Sequence, residues 1–134
     1  MIDKNFCEVS SNILTRLGFG NETIASLIQK WKFFIEECES GYAWDYSEYR
    51  IEIRVRWLLQ NLLNSPEVCK FPEFKCFFDE LFSLDERFRL LLQSGRAVVE
   101  GDNWWDRGVL ARAGEEYCHY MEGAHGILVE NSDS

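Results

Sequence analysis

The sequence predicts an all-α fold, a compact bundle of five to six amphipathic helices that admits one short strand or hairpin. Three observations carry this. Apolar residues recur at three- and four-residue spacing along most of the 134-residue chain. The only prolines, Pro66 and Pro72, sit together in mid-chain, and no Pro- or Ser-rich stretch or internal repeat divides the sequence. A hydrophobic share of 46% supplies enough apolar surface for one core, so disorder over the whole chain is excluded. The expected organisation is a single helical domain over residues 1–126, with 127–134 a tail that frays.

The elements follow in order. Phe6, Val9, Ile13, Leu14 and Leu17 form one stripe that Gly18 and Gly20 terminate. Asn21 is a suitable N-cap for a second helix, in which Ile24, Leu27, Ile28, Trp31, Phe34, Ile35 and Cys38 make the clearest amphipathic pattern of the chain, ending before Gly41. From Tyr49 to Trp57 apolar residues alternate with Arg50, Glu52, Arg54 and Arg56, which suits a half-buried strand. A helix over about 47–64 is favoured instead, because Ile51, Val55, Leu58, Leu59, Leu62 and Leu63 share one stripe and Asp45 or Ser47 can cap it. After a bend at Ser65-Pro66 and Phe71-Pro72 comes a stripe of Phe74, Phe77, Phe78, Leu81 and Phe82. Ser83 to Glu86 has capping-box spacing and predicts a new helix carrying Leu84, Phe88, Leu91 and Leu92 up to Gly95. A short strand also fits Ala97–Val99. The last helix is expected from Asn103 to Glu122, weakened at Gly108 and Gly114.

Charge narrows the function. Fourteen Lys and Arg against 23 Asp and Glu give −9, which disfavours direct nucleic-acid binding and docking on anionic lipid, and makes a basic protein the natural partner. Apolar runs are only three residues long, against the roughly 18 a membrane helix needs, and the N-terminus has no secretory pattern. A cytoplasmic protein is expected. Five irregularly spaced cysteines without a CxxC pair read as free thiols rather than disulfides or a zinc site. Cys118 and His119 are sequence neighbours that diverge on a helix, His119 and His125 lack metal spacing, and no phosphate-loop motif occurs. No catalytic residue, metal or cofactor is expected, and the reading is not an enzyme.

The most informative stretch runs from Glu36 to Tyr49. It holds Glu36, Glu37, Glu39, Asp45 and Glu48, the aromatics Tyr42, Trp44, Tyr46 and Tyr49, and no base. At a corner between helices four such aromatics cannot all reach a core, and an exposed Tyr or Trp ringed by carboxylates suits an interface with a basic protein. A second acidic-aromatic stretch from Glu100 to Glu122 adds Trp104, Glu115 and Glu116.

Clustered acids flanking tyrosines between Glu39 and Tyr49 resemble the helical immunity proteins of nuclease colicins, and more broadly the small acidic bacterial immunity proteins that neutralise nuclease toxins of the colicin or contact-dependent-inhibition type. This chain is longer than those compact proteins and has no adjacent Tyr-Tyr pair. The resemblance implies binding of a cognate basic toxin, and the acidic and aromatic stretches themselves offer Glu36, Glu37, Glu39, Tyr42, Trp44, Asp45, Tyr46, Glu48, Trp104, Glu115 and Glu116 as the contact residues of a monomer or weak dimer. Two alternatives stay open: an adaptor or regulator using an apolar patch at Trp104-Trp105, and an acidic inhibitor that mimics nucleic acid.

Overall fold

A computed structural model describes residues 4–98 and 103–132. The chain is mostly helical, with eight helices among the described residues: α1 (Lys4–Arg16), α2 (Ile24–Glu39), α3 (Tyr46–Glu52), α4 (Arg54–Leu63), α5 (Pro66–Cys69), α6 (Pro72–Arg89), α7 (Trp104–Arg107) and α8 (Glu115–His125). It is not purely α. β1 (Leu92–Ala97) pairs antiparallel with β2 (Gly108–Leu110), and β3 (Arg112–Ala113) pairs in parallel with β4 (Glu130–Asn131). Contacts divide the chain into two compact units, residues 1–32 with 54–85 and residues 33–53 with 86–134.

The first unit is built on helical stripes. Phe6, Ser10, Ile13 and Leu14 form the buried face of α1, where the Ser10 hydroxyl satisfies itself on the Phe6 carbonyl at 2.8 Å. Gly18 ends that helix at φ +90, a conformation open to glycine. The cap of α2 is Thr23 rather than Asn21. Its Oγ1 accepts from Ser26 N at 3.0 Å while Ser26 Oγ accepts from Thr23 N at 2.8 Å, so the two side chains satisfy each other's backbone donors. Leu58, Leu59 and Leu62 of α4 and Leu81 and Leu84 of α6 complete this core with Ile24, Leu27, Ile28 and Trp31. Within it Arg56 and Asp85, 4% and 2% exposed, form a salt bridge at 2.9 Å, and Trp31 Nε1 donates to the same carboxylate.

Several sequence expectations are corrected. The segment 47–64 is helical, not a strand, but it is two helices: α3 closes at Ile53 and α4 begins at Arg54. Ser83 does not start a helix. It lies inside α6, because Leu81, Leu84, Asp85 and Phe88 continue the Phe77 stripe without a break in period. No helix runs from 103 to 122. Gly108 and Gly114 both take extended backbone, so the stretch becomes α7, β2 and β3 before α8 begins. The short strand falls at 92–97 instead of 97–99; Val99, like Glu100 and Asp102, lies outside the described residues. Residues 127–132 make contacts within their unit. Ile127 is buried, Leu128 O accepts from Gln93 Nε2 at 2.8 Å, and Ser132 N donates to Ala113 O at 2.8 Å.

Among the described residues no helix is long and apolar enough to cross a membrane.

Candidate functional site

The second unit gathers all five tyrosines of the chain. Tyr42, Tyr46, Tyr49 and Tyr117 are buried, with ring centroids 5.5 Å apart for Tyr42–Tyr49, 5.6 Å for Tyr46–Tyr49 and 5.1 Å for Tyr49–Tyr117. Tyr120, partly exposed, stacks on Tyr46 at 4.3 Å. The rings fill the core with edge-to-face and stacked contacts, and the Tyr46 and Tyr49 hydroxyls are buried among them. Tyr117 OH accepts from Leu110 N at 3.0 Å, and Tyr42 OH donates to Glu52. Burial pushes the Tyr49 and Tyr117 phenols well above their ordinary range, and burial together with Glu52 does the same to Tyr42.

Gly41 creates the surface over this core. At φ +91 it turns the chain out of α2, and an added Cβ would come within 2.3 Å of Ser132 Oγ. The turn sends Tyr42 inward, fixed by Gly114 N donating to Tyr42 O at 2.7 Å, and leaves Trp44 53% exposed. Trp44 is held in place, since its Nε1 donates to Glu37 Oε2 at 2.9 Å across from α2. Asp45 then caps α3 by accepting from Glu48 N at 2.8 Å, as its position in the sequence predicts.

Carboxylates gather around Glu52. Glu52 titrates above its ordinary range because it is partly buried and because Glu37 and Glu48 lie near it, although the Tyr42 hydroxyl acts in the opposite direction. No Lys or Arg occurs between Phe33 and Tyr49. The arrangement is an exposed indole held by a hydrogen bond to one carboxylate, in a stretch of sequence without a base.

The expected contact residues separate into three groups. Glu36, Glu37, Trp44, Asp45 and Glu48 are exposed or half-buried, with Glu37 on the Trp44 indole and Glu36 near enough to Arg87 to act on its charge. Tyr42 and Tyr46 are corrected to core residues, because the Gly41 turn and the α3 stripe point both rings into the tyrosine cluster. The remainder are engaged or lie elsewhere in the unit. Glu39 pairs with Arg87 at 2.6 Å, Trp104 packs under the Arg89 guanidinium at 4.0 Å, and Glu115 and Glu116 occupy the exposed first turn of α8. Glu52 was missed, although its place four residues after Glu48 puts both on one side of a helix.

Other chemistry has little to build on. Cys118 is buried with its thiol on Ala113 O, whereas His119 is exposed and 3.8 Å from Glu115, and His125 packs on the Tyr120 ring. Among the described residues no cluster of His, Cys, Asp or Glu has metal-binding geometry. No protein-family model matches the chain, and comparison with curated proteins and with solved structures finds no match.

Proposed function

We propose that this protein is a protein-binding inhibitor of the immunity type, which neutralises a basic toxin of the nuclease class through the face formed by Glu36, Glu37, Trp44, Asp45, Glu48 and Glu52. The observation that carries the reading is the exposed Trp44, held by Glu37 among carboxylates in a stretch without a base. An exposed Trp fixed in one orientation loses little conformational entropy on binding, which is what an interface anchor requires. The carboxylates of this stretch accelerate the approach of a basic surface and disfavour acidic ones. A nuclease must itself present a basic surface to its substrate, so an acidic face complements the part of the toxin whose occlusion stops the reaction. Trp104, Glu115 and Glu116 have no place in this minimal face.

The test uses the product of the upstream adjacent open reading frame, expressed with and without this chain. Rescue of growth by the wild type, lost in Trp44→Ala and in the triple variant Glu36→Gln, Glu37→Gln, Glu48→Gln, is the expected result. If that product is harmless, or if both variants protect as well as the wild type, the reading is wrong.

A further inference from the structure

Against its acidity, the second unit contains a basic groove. Arg89 at the end of α6, Arg96 in β1 and Arg107 at the end of α7 line it together with Trp104, over a floor that includes Leu92 and Gly108. The groove is open and encloses about 320 Å³, near the lower end of the roughly 300 to 1,000 Å³ typical of small-ligand sites. No Asp or Glu among the described residues lines it.

The backbone fixes two of these arginines. Ala97 pairs with Gly108 across the β1–β2 ladder, and Val98 N donates to Arg107 O at 3.1 Å, so Arg96 and Arg107 stand beside the same strand pair. The Leu92 side chain packs over Gly108, in space that a Cβ there would occupy. Arg89 is differently placed. Its guanidinium lies over the Trp104 ring at 4.0 Å while Nη1 donates to Glu86. Arg96 and Arg107 are exposed, and among the described residues neither has a carboxylate within ion-pair distance.

All six basic residues of this unit are arginine, and three converge here. Guanidiniums brought together repel one another, and their planar forks match the oxygens of a phosphate in two-point contacts. A phosphate monoester carries close to two negative charges near pH 7, which answers two arginines that have no ion-pair partner among the described residues better than one carboxylate does. The stacked Arg89–Trp104 pair beside them offers a flat cationic and aromatic surface on which a planar ring can lie. We infer that the groove between β1 and α7 binds a small organic phosphate with an aromatic body, of mononucleotide size. This site is separate from the Trp44 face and does not depend on the inhibitor reading.

Calorimetry with the full chain tests this, using AMP as probe and Trp fluorescence as a second readout, beside adenosine, inorganic phosphate and a ten-nucleotide single strand. One-to-one AMP binding is expected, weakened about tenfold or more in Arg96→Gln/Arg107→Gln and only partly recovered in Arg96→Lys/Arg107→Lys, which keep charge but lose the fork. Circular dichroism of the variants verifies that they fold. Absence of AMP binding overturns the inference, as does equal binding by the Gln variants. Phosphate binding as tightly as AMP reduces the groove to an adventitious ion only, adenosine binding as tightly removes the phosphate requirement, and a strand bound much more tightly than AMP replaces the small ligand with a nucleic acid.

Discussion

Arg56 grips Asp85 at two points, Nε to Oδ1 and Nη2 to Oδ2, each at 2.9 Å. The pair is completed by Trp31 Nε1 on Oδ1 at 3.1 Å and by Gln60 Oε1, which accepts from Arg56 Nη1 at 3.0 Å. Buried charges cost several kcal/mol each to remove from water, and a satisfied network of this kind offsets that cost while admitting one packing arrangement.

Breaking one side is therefore worse than removing both. Asp85→Ala leaves a buried guanidinium without its counter-charge and is expected to lower stability by about 3–5 kcal/mol, whereas Arg56→Met/Asp85→Leu loses far less than the sum of the single changes. Urea denaturation of the four proteins in the cycle measures the coupling. A double variant as unstable as Asp85→Ala would contradict this account.

The Gly41 turn is the second point of sensitivity. Alanine there must adopt φ +91 and displace Ser132, so Gly41→Ala is expected to cost about 1–2 kcal/mol from backbone strain, with a further loss from the displaced C-terminal segment. Thermal unfolding reads the cost. If strain is the cause, Gly41→Asn, which tolerates the left-handed region better, will fall less.

Acid affects the two units in opposite directions. Lys30 and Ser26 hold Glu22 below its ordinary range, so its contribution to stability is present above pH 4.5 and disappears as pH falls through the lower folded value. Glu52 is raised by burial and by Glu37 and Glu48, so the folded state takes up its proton first and gains stability as pH drops from neutrality towards 4.5. Glu52→Gln is expected to abolish that gain and Glu22→Gln to flatten the loss at lower pH. Urea midpoints followed from pH 7 to 3 separate the two; a wild-type pH profile in either variant excludes that group.

Tyr117 provides a local test of the tyrosine core. Tyr117→Phe strips the acceptor from the buried Leu110 N–H and is expected to cost about 1–3 kcal/mol, while Tyr120→Phe, at the rim, stays within about 0.5 kcal/mol of wild type. Equal effects in the two variants would mean that the hydroxyl on Leu110 N has no stabilising role.

Where helical period governed burial, the sequence was legible: every predicted core position of α2 from Ile24 to Cys38 is buried, and Asp45 caps α3. It misled where tertiary contacts override local signals. Ser83 has a capping sequence but sits in mid-helix because the apolar stripe of α6 runs on through it, and Asp85 occupies an apolar position on that stripe because Arg56 is there to meet it. The four-residue recurrence from Trp105 to Met121 is genuine, yet the two glycines let β2 and β3 form instead of one helix. At the candidate site the carboxylates could be read directly, but which aromatic points outward depended on the Gly41 turn. Tyr42, Trp44 and Tyr46 alternate along the sequence, and only the turn selects Trp44.

Residue types are also partitioned. Every lysine, Lys4, Lys30, Lys32, Lys70 and Lys75, belongs to the unit of residues 1–32 and 54–85, and every tyrosine belongs to the other. Amine-directed reagents therefore label one half of the molecule and phenol absorbance reports on the other. Each unit carries its own optical or chemical tag without a single engineered substitution, and the order in which the two give way can be followed in the unmodified protein.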